Sequence, residues 1–181
     1  PVELALYGRG ALSSLSVQLQ TSQPGTVLQV KAVGLNFRDV LNVLGMYPGD
    51  PGPPGGDCAG VACVEDQKWL GAAVLGLGFG SLRSHATTDL RLLAAMPRQW
   101  SYEESSAMPT VVVTVWMCLE ELAGTCSDCN VLAHAATGGV GLVAIQFAQH
   151  AGARVCGTAG SVTKRAYVQW AGVSMVSTTR E

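Results

Sequence analysis

The stretch that most constrains this chain is Asn130-Val131-Leu132-Ala133, followed by His134-Ala135-Ala136-Thr137-Gly138-Gly139-Val140-Gly141 and then by Leu142 to Gln149. A short apolar run suits a buried parallel strand, and the small residues after it let the backbone turn sharply and approach a ligand with no Cβ in the way. A helix follows at once. Its polar residues Gln146, Gln149 and His150 fall at i, i+3 and i+4 and form one solvated stripe, so the other faces pack on a sheet, and Gly152 supplies a left-handed stop. Free amides at such a helix start can hold a pyrophosphate. The spacing Ala136-x-Gly138-x-x-Gly141 is a variant of the dinucleotide fingerprint, and a second apolar strand, Arg154 to Thr158, follows at the distance of a βαβ unit. Thr137, Gly138, Gly139, Val140 and Gly141 are the expected cofactor contacts; the plainer alternative is an ordinary glycine-rich turn.

The end of that second strand discriminates between cofactors. An NAD site has an Asp or Glu about 20 residues beyond the glycines to take the ribose hydroxyls. Between Asn130 and Arg180 there is no carboxylate, and Gly157-Thr158-Ala159-Gly160-Ser161 is followed by Lys164 and Arg165. Ser161 as hydrogen-bond donor, with Lys164 or Arg165 as charge, suits a 2′-phosphate, which an acid there would repel. NADPH is therefore expected over NADH, against the alternative of a solvated basic helix start.

With 181 residues, 48% of them hydrophobic and 13% charged, the chain can bury a core and is neither disordered nor a coiled coil. A net charge of −2 offers no electrostatic case for nucleic acid. No apolar run of about 18 residues suggests a membrane span, and no basic n-region suggests a signal peptide. The six cysteines are scattered through apolar surroundings, which favours a reducing, cytoplasmic setting. Cys126-Ser127-Asp128-Cys129 has metal-like spacing but no second pair or nearby His, so it is read as structural and no metal is expected.

The first hundred residues read differently. Glu3 to Tyr7, Ser16 to Gln20 and Thr26 to Val33 are alternating or β-branched runs divided by Gly and Pro, with further strands expected at Gly60 to Val64, Ala73 to Leu77 and Ser84 to Thr87. Tyr47 to Gly60 is loop-like and of the kind that borders a binding cleft. Ser101 and Glu104 have capping-box spacing, so a helix starts there and Pro109 interrupts it. Val111 to Val115 is β-branched enough for a strand, yet the apolar run continues to Leu122, and a buried helix is preferred. The domain boundary is expected near residue 102, giving a β-rich domain over 1–102 and a Rossmann domain over 103–181. A doubly wound domain has about six strands and only about three fit here, so a longer parent is expected, and the isolated piece is expected to be inactive and aggregation-prone.

The segments Gly34-Leu-Asn-Phe-Arg-Asp-Val-Leu-Asn-Val-Leu-Gly-Met-Tyr-Pro-Gly49, Gly55-Gly-Asp-Cys-Ala-Gly60, His134 to Gly141 and Gly160-Ser-Val-Thr-Lys-Arg-Ala-Tyr167 together resemble the enoyl reductase domain of polyketide synthases, with animal fatty acid synthase a more distant relative. The similarity covers nearly the whole chain and places it in the zinc-free, quinone oxidoreductase-like branch of the medium-chain dehydrogenase/reductases. It implies a GroES-like β domain joined to a Rossmann domain, an α/β fold with the active site between the two. Zinc-dependent members carry Gly-His-Glu where this chain has Gly56-Asp57-Cys58 or its near neighbours, together with a cluster of four cysteines in the first domain that is absent here. The usual Gly-Asp-x-Val turn appears as Gly71-Ala72-Ala73-Val74. A lysine and an aspartate linked to proton delivery in the family belong to later strands, outside these residues.

The resemblance implies NADPH-dependent reduction of a trans-2-enoyl thioester on an acyl carrier protein, beside neighbouring synthase domains. It makes Tyr47 the candidate acid, against a packed tyrosine with a satisfied hydroxyl. Asn36 orients substrate or nicotinamide or else caps a loop, and Thr114 contacts the nicotinamide or else packs a helix. Arg38 and Asp39 are read as a structural ion pair across a strand end, and His85, His134 and His150 are given no catalytic part. A zeta-crystallin-like quinone oxidoreductase and a catalytically silent NADPH-binding fragment are the alternatives.

Overall fold

Short β-branched runs cut by Gly and Pro leave the first hundred residues little choice but antiparallel pairing. The computed structural model describes residues 1–21, 25–64 and 69–179. These form two units, Pro1–Thr110 and Val111–Glu181. In the first, β1 (Val2–Leu6) and β2 (Leu15–Leu19) form an antiparallel hairpin in which Val2 faces Leu19 and Leu6 faces Leu15. A five-stranded antiparallel sheet follows, made of β3 (Thr26–Gly34), β4 (Asp57–Ala62), β5 (Ala73–Leu77), β6 (His85–Thr87) and β7 (Leu93–Ala95) in the order β6-β3-β4-β5-β7. Leu28, Cys58, Ala62, Val74 and Leu93 form its buried core. Burying Leu28 completely is worth about 2 kcal/mol relative to leaving it in water.

Three details depart from the sequence reading. β4 begins at Asp57 rather than Gly60, β7 is an additional edge strand, and Phe37–Val43 forms α1 where a strand end is expected. The expected Arg38–Asp39 ion pair is not found among the described residues. Asp39 instead serves the first turn of α1, its carboxylate accepting the Asn36 N–H at 2.9 Å and the buried Gly55 N–H at 2.8 Å. Arg38 donates from Nη2 to the Pro51 carbonyl at 2.7 Å. A carboxylate in the first helical turn satisfies orphan amides and meets the positive end of the helix, a better use of Asp39 than an ion pair with its own neighbour.

The helix α2 (Tyr102–Ser106) opens on the expected capping box: Ser101 Oγ accepts the Glu104 N–H at 3.1 Å and Glu104 Oε2 accepts the Ser101 N–H at 2.8 Å. This helix lies against β3, β4 and β5. The approach needs a glycine, since a Cβ on Gly34 would fall 2.1 Å from the Ser106 carbonyl oxygen. Packing on the sheet therefore carries the first unit past residue 102, to Thr110. Pro109 separates α2 from α3 (Pro109–Val115), which it opens at a position where its missing N–H is no loss. The segment continues as a π-helical stretch, Trp116–Leu122, and stops near Gly124, whose φ is +56°. Helix rather than strand is the correct reading there, but it is not the buried helix expected, since Val112, Val113, Trp116, Met117 and Leu122 are exposed.

The second unit is the βαβαβ pattern. β8 (Asn130–Ala133), α4 (Gly139–His150), β9 (Arg154–Thr158), α5 (Val162–Trp170) and β10 (Met175–Ser177) follow in order, and the strands form a parallel sheet ordered β10-β9-β8. Gln146, Gln149 and His150 are exposed, and Gly152 ends the α4 turn at φ +79°. β10 starts at Met175 rather than Val173, because the Val173 N–H still donates back to the Val168 carbonyl of α5 at 3.3 Å, while its side chain joins a core with Ile145, Ala148, Val155 and Val168. The fold is α/β. Helix α4 meets the strand end closely, and a Cβ on Gly141 would lie 2.7 Å from the Ala135 carbonyl oxygen and 2.8 Å from Ala136 Cα. Gly141→Ala is expected to destabilise its unit by about 1–3 kcal/mol, read as a lower urea midpoint. Gly56→Ala, whose new carbon meets nothing within 4 Å, is expected not to lower it.

Candidate functional site

In the second unit the site is the start of α4. Gly138 caps the helix and donates its N–H to the Ala135 carbonyl at 2.8 Å, and the first helical bond runs from the Leu142 N–H to the Gly138 carbonyl at 2.9 Å. The N–H groups of Gly139, Val140 and Gly141 precede that bond and are the orphan donors of the helix start. Gly138, Gly139 and Val140 are exposed, Thr137 is half-buried, and the turn borders a cavity of about 410 Å³ that also touches Ala133 and His134.

Ala135 holds the turn in the left-handed region at φ +49°, the single non-glycine residue there among the described residues. A threonine at the end of β9 supports it. Thr158 Oγ1 accepts the Ala135 N–H at 3.3 Å and lies 3.2 Å from Nδ1 of His134, a histidine to which the sequence gives no partner. The sequence reading includes Thr158 in its strand without a role. The available signal is a hydroxyl residue as the last member of β9, level with the glycine turn.

Beyond β9, Ser161 caps α5, its Oγ accepting the Lys164 N–H at 3.2 Å, which leaves the hydroxyl proton available to a further acceptor. Lys164 is exposed. Arg165 is half-buried and donates from Nη1 to the Ala159 carbonyl at 3.4 Å, so it holds the corner while Lys164 extends from it. Thr114 lies exposed on α3.

In the first unit Asn36 is the cap of α1, and its Nδ2 donates to Asp57 Oδ2 at 3.0 Å. The capping alternative is thus where the structure puts its backbone, while its side chain belongs to a buried network. Asp57, 1% exposed, also accepts the Thr110 N–H at 3.1 and 3.2 Å and the Thr110 hydroxyl at 2.5 Å. Sequence reasoning names Asp57 only as a departure from a zinc motif and misses this role. Next to it, burial first and the Asp57 charge second push the Cys58 thiol up to about 12, so Cys58 is no nucleophile at neutral pH.

Tyr47 is half-buried, held by its N–H to the Leu41 carbonyl at 3.2 Å, with the Arg38 guanidinium carbon 5.5 Å from its ring centroid. That cation–π contact is worth about 0.5–1 kcal/mol. Its hydroxyl has no hydrogen bond among the described residues. The loop beside it is fixed by Asn42, 1% exposed, which accepts from Arg9 Nε at 3.1 Å and donates to the Gly52 carbonyl at 3.0 Å. Among the described residues there is no group of three or more His, Cys, Asp or Glu able to hold a metal ion, and no helix is long and apolar enough to cross a membrane.

A GroES-like β unit followed by a parallel βαβαβ unit with a dinucleotide-type turn defines a medium-chain dehydrogenase/reductase. No family model matches the chain. It is 38% identical over 165 residues, 86% of its length, to the phenolphthiocerol synthesis polyketide synthase type I Pks15/1 of Mycobacterium marinum. It is 41% identical over 163 residues, 84% of its length, to the erythronolide synthase EryA2 of Saccharopolyspora erythraea. It spans 8% and 4% of those two proteins. Among solved structures it superposes on the CurK enoyl reductase with a TM-score of 0.90 at 34% identity, covering 99% of this chain and 60% of that one. On the JamJ enoyl reductase the TM-score is 0.87 at 31% identity, covering 100% and 60%. The chain belongs to the enoyl reductase-like domains of polyketide synthases.

Asp57→Ala removes from a buried position the acceptor shared by the Asn36 amide, the Thr110 N–H and the Thr110 hydroxyl, at a cost of about 1–3 kcal/mol. The expected result is a clearly lower urea midpoint for the first unit, with Asp57→Asn, which keeps one acceptor oxygen, falling between the two.

Proposed function

We propose that the chain supplies the NADPH-binding and proton-delivering parts of an enoyl reductase, acting on a trans-2-enoyl thioester carried by an acyl carrier protein within a synthase. The observation that carries the cofactor choice is the β9–α5 corner. Ser161 and the exposed Lys164 stand there with no carboxylate anywhere between Asn130 and Arg180. The residues present fit the dinucleotide: the first-turn amides of Gly139, Val140 and Gly141 receive the pyrophosphate, and the bare surface of Gly138 and Gly139 lets it approach. Thr137 and Val140 line the same turn, Arg165 steadies the corner, and Thr114 is the proposed nicotinamide contact.

When bound, NADPH supplies hydride to the β carbon of the enoyl group. The remaining work falls to the protein. Tyr47 is the proposed acid for the α carbon, and the Arg38 contact to its ring with the Leu41 carbonyl on its amide supports that role by restraining the residue. Asn36, its Nδ2 committed to Asp57 at the capping box of α1, is the proposed residue that orients the reactants. The enoyl reductase likenesses support this reaction over quinone reduction.

Lys164→Ala is expected to lower the ratio of NADPH to NADH affinity about tenfold, the value of one charge-assisted contact to the phosphate. Titration of each nucleotide against the chain measures it, and an unchanged ratio overturns the NADPH assignment. Tyr47→Phe in the complete reductase is expected to slow turnover of a crotonyl thioester by about 10²–10⁴-fold, with altered configuration when the substrate bears an α-methyl group. Unchanged rate and configuration would remove Tyr47 from the chemistry, and turnover of quinones in place of thioesters would sink the enoyl reductase reading.

A further inference from the structure

The loop between the π-helical stretch and β8 contains a feature that nucleotide and enoyl chemistry do not use. Its backbone is tied at both ends, with the Thr125 N–H donating to the Leu119 carbonyl at 2.8 Å and the Arg154 N–H to the Cys129 carbonyl at 3.0 Å. A turn inside it brings the Cys129 N–H to the Cys126 carbonyl at 3.0 Å. Within that frame Cys126 Sγ lies 3.3 Å from Cys129 Sγ, and the Cys126 N–H donates to Cys129 Sγ, also at 3.3 Å. Cys126 is exposed, and Cys129 is half-buried against the core of the second unit. A disulfide needs a separation of about 2.05 Å, so closure asks the sulfurs to approach by roughly 1.2 Å.

We propose that Cys126 and Cys129 form a reversible thiol–disulfide site that exchanges with a small disulfide of the glutathione class. The exposed Cys126 thiolate attacks one sulfur of the small disulfide, breaking its S–S bond, releasing one thiol and leaving a mixed disulfide on Cys126. The Cys129 thiolate then attacks Cys126 Sγ, forms the internal S–S bond and expels the second small thiol. Two electrons pass from the cysteine pair to the small disulfide, and the two cysteine protons end on the two released thiols. Cys126 is the attacking member on exposure, and its thiol is held below its usual range by its hydrogen bond with the Cys129 thiol first and by the Asp128 amide next. Cys58, deeply buried and pushed up to about 12, has none of these properties. A disulfide closing so short a loop removes little chain entropy from the unfolded state, which suits a bond that opens and closes rather than a staple.

The test is to hold the full chain in excess oxidised glutathione without denaturant, quench in acid, alkylate the remaining thiols and map the peptides. The expected result is an internal Cys126–Cys129 disulfide, loss of two alkylatable thiols, and full recovery with a dithiol reductant. Cys129→Ser is expected to trap glutathione on Cys126 and to move the pH midpoint of Cys126 alkylation upward. Separate glutathione adducts on both cysteines would overturn the proposal, as would two unreacted thiols. Protection relieved by a chelator would replace it with a metal site.

Discussion

The second unit depends on one close approach. Helix α4 can start where it does only because residue 141 has no Cβ, since a methyl there would meet the backbone of Ala135 and Ala136 at under 3 Å. That contact aims the helix start at the end of β8 and leaves three amides ahead of the first helical bond. In the same turn Ala135 adopts φ +49°, a conformation costing an alanine about 1 kcal/mol or more. Thr158 offsets that cost by accepting the Ala135 amide.

The first unit is ordered around a buried carboxylate rather than a glycine. Asp57 joins the start of β4 to the cap of α1 through Asn36 and to the start of α3 through Thr110. A charge at 1% exposure is tolerable only with its acceptor capacity filled, and four contacts to three donor groups do so. Asp39 performs the same service one turn into α1, tying that helix to Gly55 in the proline-rich loop. Asp39 thereby holds a loop whose composition forbids helix and central strand alike.

Much of this is legible in the sequence because the signals are local. The glycine turn, the Ser101–Glu104 box and the stop at Gly152 each depend on residues within one turn of one another, and each forms where expected. Helix α1 is not legible, because its seven residues are too few for a periodic stripe and its cap reads equally well as a strand end. The boundary at residue 102 moves to 110 for a different reason: whether α2 belongs to the sheet depends on Gly34 lying under Ser106, a contact across more than seventy residues. The roles of Asp57 and Thr158 are hidden likewise, since each bonds to partners distant in the chain. Tyr47, Asn36, Ser161 and Lys164 stand out by residue type; what surrounds them comes only from the fold.

The hydroxyl of Thr158 joins two places that the chain order keeps apart. It fixes the glycine turn to the last residue of β9, and Ser161 follows that residue through the short link closed by Arg165 on Ala159. The amides at the head of α4 and the basic corner at the head of α5 are therefore tied to the same strand end. In the proposed NADPH site that spacing would act as a ruler: a molecule with negative groups at both ends would be gripped twice if its length matched, and one of another length only once.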